Sequence, residues 1–256
     1  MRIAPVLLCS SLCFNAYSAE PVGPNSSPSP ALHHASAQQD LKQQILSAIH
    51  QFEQTDISQW SYQVSRYENE EGTVTSSLER FDPRHGEGKR WTLLRTNGQA
   101  PTEKQQQAFA AKKHENEKKN GSVNLTLKLN ELIQVDSLQR VSEDEQHLHA
   151  QFKVYLNQLG KEASEQLQGY LVYDKAGAFI KHIEIVNTEE FSPMFSASIQ
   201  DITLSLQFIK RHEAILTKQI NLNMQGKFAF FTEINEVSTD AYSDYQYHGS
   251  TALGVQ

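Results

Sequence analysis

Phe195-Ser196-Ala197-Ser198-Ile199-Gln200-Asp201-Ile202-Thr203-Leu204-Ser205-Leu206-Gln207-Phe208 is the stretch that decides the fold class. Apolar and polar side chains take turns along it, the period of a strand with one greasy face. The apolar set holds odd positions up to Ile199 and even positions from Ile202. A parity switch near Gln200 and Asp201 predicts a β-bulge or bend.

The same period runs outward in both directions. Residues 167–173 and 178–187 read as a hairpin about a turn at 174–177. Leu148, Ala150, Phe152, Val154 and Leu156 share one parity, and residues 134–141 precede them as a further strand. Downstream, Ile220, Leu222, Met224, Phe228, Phe230 and Ile234 alternate, with Gly226 on the same face to relieve curvature. Residues 242–247 read as a last strand. Upstream, Trp60, Tyr62 and Val64 alternate with polar residues, and residues 74–81 and 90–96 follow as strands. Asn97-Gly98 is a strong turn signal.

Two stretches carry a helical period instead. Leu41, Ile45, Ala48, Ile49 and Phe52 form one apolar stripe over residues 38–55. Thr102 and Gln105 have capping-box spacing, and a polar helix runs from there to about residue 119. Residues 123–135 suit strand and helix equally, and residues 160–166 read as a short polar helix or loop. The expected fold is α+β, mainly β. It is a single long curved antiparallel sheet, an unclosed barrel of roughly nine to eleven strands, covered by an N-terminal helix and a second helix.

The ends set the compartment. Arg2, the apolar run through Phe14 and the small residues Ala16 and Ser18 have the layout of a secretory signal peptide over residues 1–18. Residues 19–37, rich in Pro, Ser, Ala and His, read as a disordered linker, and residues 38–256 as the curved-sheet domain. The two cysteines, Cys9 and Cys13, both lie in the leader. A mature chain without thiols needs an adequate core to hold it. The reading is an exported periplasmic protein, with secretion or outer-membrane association as alternatives. A formal net charge of −7 argues against nucleic acid as a partner. No later apolar run approaches transmembrane length.

The passage Leu78-Glu79-Arg80-Phe81-Asp82-Pro83, then Lys89-Arg90-Trp91 on the next strand, resembles the LolA/LolB-type periplasmic lipoprotein carriers. So do Leu171-Val172-Tyr173-Asp174, the glycine turn and the strand from Ile180 to Val186. The resemblance implies an unclosed barrel with helices as a lid and a hydrophobic ligand, an acyl chain, lipid or lipoprotein, on the concave face. Trp60, Tyr62, Trp91, Leu93, Phe152, Met224, Phe228 and Phe230 are the candidate lining, and Arg80 and Arg90 the candidate polar rim. Each apolar candidate also suits an ordinary packed core, and a non-catalytic interaction or scaffold module with a fully packed core is the alternative function.

Signals of catalysis and metal binding are weak. There is no Gly-x-Ser-x-Gly elbow and no glycine-rich phosphate loop. His147 and His149 share the polar face of one strand without a third ligand by spacing. Ser243, Asp244 and His248 lie too close along one segment to converge as a triad. The expectation is therefore a protein that is not an enzyme and that carries no metal or cofactor.

Overall fold

The computed structural model describes residues 30–120, 128–156, 159–194, 196–229 and 232–249. The leader, the linker up to residue 29, Phe195 and Phe230 lie outside the described residues. In chain order the elements are α1 (Pro30–Glu53), β1 (Trp60–Glu70), β2 (Thr73–Phe81), β3 (Trp91–Thr96), α2 (Glu103–Asn120), α3 (Leu129–Leu132), β4 (Ile133–Glu143), β5 (His147–Val154), α4 (Gly160–Ser164), β6 (Leu167–Asp174), β7 (Phe179–Asn187), β8 (Phe191–Met194), β9 (Ala197–Arg211), β10 (Ala214–Phe228) and β11 (Thr232–Tyr247). Strands hold more than half of the described residues, so the fold is mainly β.

All eleven strands belong to one antiparallel sheet in the order β3-β2-β1-β11-β10-β9-β7-β6-β5-β4, with β8 on a side branch of β9. The sheet does not close, because its edges β3 and β4 are unpaired with each other. Short loops favour a simple sequential meander, but the first three strands instead dock on the last. Trp60 pairs Tyr247 and Arg66 pairs Asp240 across β1 and β11.

Two irregularities re-aim side chains. Opposite β10, Gln225 pairs Asp201 while Gly226 pairs Ile199. Gln200 is thus the extra residue that the parity switch requires. In β11, Ser61 pairs Gln246 but Gln63 pairs Ser243, and Asp244 sits at φ 54°. That bulge puts Tyr242 and, beyond it, Tyr245 and Tyr247 on one face.

Three boundaries differ from the sequence reading. Helix α1 begins at Pro30, inside the stretch read as linker. Proline suits a first helical position, and the alanines after it favour continuation. The alternating run from Ile220 to Ile234 is two strands, because β10 ends at Phe228 and β11 starts at Thr232. Of the ambiguous stretch, residues 123–127 lie outside the described residues, and the remainder is helix at Leu129–Leu132 and strand from Ile133.

The sheet's concave face carries two covers of unequal strength. Leu41, Ile45, Ala48 and Ile49 of α1 are at most 3% exposed and join an aliphatic core with Leu148, Phe152, Leu171, Ile183 and Ile185. Each buried leucine or isoleucine among them contributes roughly 1.5–3 kcal/mol. Phe52 adds an edge-on contact with Phe208 at 5.1 Å, and Thr55 Oγ1 accepts from the Ile215 amide at 3.0 Å. The capping box of α2 forms as its sequence predicts. The Thr102 amide donates to Gln105 Oε1 at 2.8 Å and the Gln105 amide to Thr102 Oγ1 at 3.3 Å. Yet no described side chain of α2 is fully buried, and only Phe109, Ala110, Lys113, His114 and Asn116 are half-buried.

Candidate functional site

Strand register lays out the concave face row by row. One row runs Ile183, Leu206, Ile220, Asp240, Arg66. The next runs Ile185, Leu204, Leu222, Ser238, Glu68. A third runs Ile202, Met224, Glu236, Glu70. Ile183, Ile185 and Leu206 are buried beside α1. Ile202, Leu204, Ile220, Leu222 and Met224 are half-buried, and Ile234 continues the strip. An apolar strip therefore lies along β9 and β10 and passes into acidic side chains at β11 and β1.

Beside that boundary stands an aromatic cluster of Tyr62, Phe81, Trp91, Tyr242 and Tyr245. Tyr62 lies 5.2 Å from Phe81, 5.9 Å from Trp91 and 5.4 Å from Tyr245 between ring centroids. The Asp244 bulge is what lets both Tyr242 and Tyr245 reach Tyr62. Burial pushes the Tyr242 hydroxyl up to about 12 and raises Tyr62 and Tyr245 further.

Four charges are set into this cluster. Glu79 Oε1 receives Arg66 Nε at 3.2 Å and Glu79 Oε2 receives Lys113 Nζ at 2.8 Å. Arg66 also pairs Asp240 through Nη1. Lys113 Nζ stands 4.1 Å over the Trp91 ring and 5.2 Å from the Phe109 ring. Burial alone would raise Glu79, but Arg66 and Lys113 outweigh it and hold the carboxyl below its usual range. Burial lowers the Lys113 ammonium despite Glu79, and it raises Asp240 despite Arg66. Charges removed from water persist only with such close partners.

The sequence candidates fall into different places. Trp60, Tyr62, Trp91 and Leu93 are buried on the concave face, with Tyr62 and Trp91 in the aromatic cluster. Phe152 is 1% exposed, inside the aliphatic core under α1. Met224 lies on the half-buried strip, whereas Phe228 is 46% exposed at the end of β10. Arg80 stands opposite Gln63 and Thr92, one residue out of phase with inward-facing Glu79. It is therefore exposed on the convex face, away from the rim expected of it. Arg90 is half-buried before β3, and its Nε, like Trp91 Nε1 and His114 Nδ1, has no hydrogen-bond partner among the described residues.

Sequence reading missed Arg66, Glu79, Lys113 and Asp240. The signal available was a charged residue at an inward-parity position: Arg66 continues Trp60, Tyr62 and Val64, and Glu79 shares the parity of Phe81. Elsewhere, His147 and His149 have ring centroids 6.4 Å apart, and no metal-binding group of three ligands stands among the described residues. His248 Nε2 contacts Ser61 Oγ at 2.8 Å. A cleft of about 710 Å³ lies at the foot of α1, between His50, His212, Trp60 and Tyr247. No described helix is long and apolar enough to cross a membrane.

No family model matches the chain, and no curated protein matches it. Among solved structures it is similar to a DUF1329 family protein from Desulfovibrio piger, at 11% identity over 86% of this chain and 94% of that one, with a TM-score of 0.32.

Proposed function

We propose that this protein binds a hydrophobic ligand, an acyl chain or lipid-like molecule, on the concave face of its sheet, and that it does so after export to the cell envelope. The single observation that carries the reading is the half-buried strip of Ile202, Leu204, Ile220, Leu222, Met224 and Ile234. Six neighbouring aliphatic side chains that keep contact with solvent on an inward-curving face suit an apolar guest better than water. Each ligand methylene taken out of water contributes about 0.8 kcal/mol, so affinity should climb with chain length. The leader-like residues 1–18 support export.

The test is emission of N-phenyl-1-naphthylamine, a neutral probe that brightens in apolar surroundings. The expected result is saturable binding, displaced by alkyl chains in order of length and weakened by Leu204→Asp and Leu222→Asp. A probe that stays dark, together with a protein that purifies free of lipid by native mass spectrometry, would leave the packed interaction module as the better reading.

A further inference from the structure

We infer that the ligand's polar end is a cation, an ammonium group on an apolar chain, and that Lys113 of α2 occupies the position this group takes when α2 lifts. The inference rests on the binding function proposed above and names the ligand class. Three observations carry it.

The surroundings of the Lys113 ammonium are those that recognise ammonium groups in general. One carboxylate oxygen of Glu79 lies at 2.8 Å and the Trp91 ring at 4.1 Å, with Phe109 at 5.2 Å. A cation over an indole face gains from the ring's negative quadrupole, most strongly when desolvated. Here the chain supplies its own cation from a separate helix.

Charge balance points the same way. Glu79 and Asp240 oppose Arg66 and Lys113, and the four cancel. Without Lys113 one negative charge is left over, next to Tyr62, Phe81 and Tyr242. A monovalent organic cation restores the balance. An anionic head would instead meet Glu68, Glu70, Glu79, Glu236 and Asp240, all on inward rows of the sheet.

The position is also continuous with the strip and lightly covered. Asp240 is directly opposite Ile220, so a chain lying along the strip ends at the acid pair. The covering helix α2 holds on through half-buried Phe109, Ala110, Lys113, His114 and Asn116, whereas α1 inserts four fully buried side chains. Elements with few buried contacts open first.

The experiment compares dodecyltrimethylammonium, dodecanoate and dodecyl maltoside below their micelle concentrations, by displacement of the neutral probe and by tryptophan emission. The wild-type chain should bind the ammonium about tenfold more tightly than the carboxylate. Lys113→Ala removes the internal competitor and should tighten ammonium binding further. Glu79→Gln should erase the preference, which separates this position from the attraction of any acidic surface for cations. Equal or reversed head-group preference, a preference that survives Glu79→Gln, or unchanged affinity in Lys113→Ala overturns the inference and leaves the binding function standing. Failure of all three amphiphiles to bind the wild-type chain removes that function and the inference with it.

Discussion

A Cβ built on Gly169 would stand 2.3 Å from Cζ of Phe152, its direct partner across β5 and β6. The ring covers the glycine and fills the space that a side chain would take, so Phe152 is a core residue made possible by a missing methyl group. Gly169→Ala should therefore destabilise the fold by about 2 kcal/mol through overpacking. Urea unfolding measures it. The double variant Gly169→Ala/Phe152→Leu should recover part of the loss, because the two sites are coupled. A stable Gly169→Ala chain would mean that the ring moves aside freely.

Glu79 is ion-paired with both Arg66 and Lys113 while only 4% exposed. Glu79→Ala leaves Lys113 without its carboxylate and Arg66 with Asp240 alone, and should cost about 3 kcal/mol. The carboxyl's pKa in the folded chain is held below its usual range. Its contribution is thus present above the unfolded value near 4.3, and it is lost as pH falls through the depressed folded value. Thermal melts of wild type and Glu79→Ala should differ widely at pH 7 and converge under strong acid. A gap indifferent to pH would count against an ionised Glu79.

Glu70 and Glu236 face each other directly across β1 and β11. Burial raises the Glu236 carboxyl, and Glu70 and Glu68 raise it further. A raised carboxylate costs stability above its folded pKa, and the cost vanishes as pH falls to the unfolded value. Glu236→Gln should accordingly stabilise at pH 7 by about 0.5 kcal/mol, the scale of a cross-strand charge pair. The gain in Tm should shrink as pH falls through the carboxylate range and disappear near pH 4. A variant that melts earlier than wild type at pH 7 would refute the repulsion.

The fold was legible wherever apolar side chains alternate, since that alternation needs only local sequence. Gln200 emerged from the parity switch alone, and the α2 capping box from two residues three apart. The site was not legible, because Arg66, Glu79, Lys113 and Asp240 come from four distant stretches of chain. They meet only because β1 docks on β11 and α2 folds back over β3. Arg80 misled for a related reason. It carries the charge expected at the rim, but strand parity gives the inward position to Glu79, its neighbour. Asp244 hid the aromatic cluster, because simple alternation puts Tyr242 and Tyr245 on opposite faces and only a bulge reunites them.

Ala16 and Ser18 fit the small-x-small pattern of a leader peptidase site. Protein recovered from the envelope fraction should begin at Ala19. Amino-terminal sequencing checks this, with a start at Glu20 the nearest alternative. A chain that keeps Met1 and stays with the cytoplasmic fraction would remove the export reading.

Helix α1 and helix α2 should open at very different free energies. Leu41 and Ile45 of α1 are 0% exposed, so freeing that helix uncovers the main core and approaches global unfolding. On α2, Phe109, Ala110, Lys113, His114 and Asn116 are partly buried and none is fully so, and the rest of the face through Glu115 is solvated. Releasing it exposes little apolar surface, and its largest single cost is separation of Lys113 from Glu79. Amide hydrogen exchange should therefore be at least about 100-fold faster in α2 than in α1, a difference of about 2.7 kcal/mol. Lys113→Ala should speed exchange in α2 further while leaving the amides of residues 41–52 unchanged. Equal protection of the two helices would make α2 a fixed part of the core, and the concave face beneath it would then be closed to any guest.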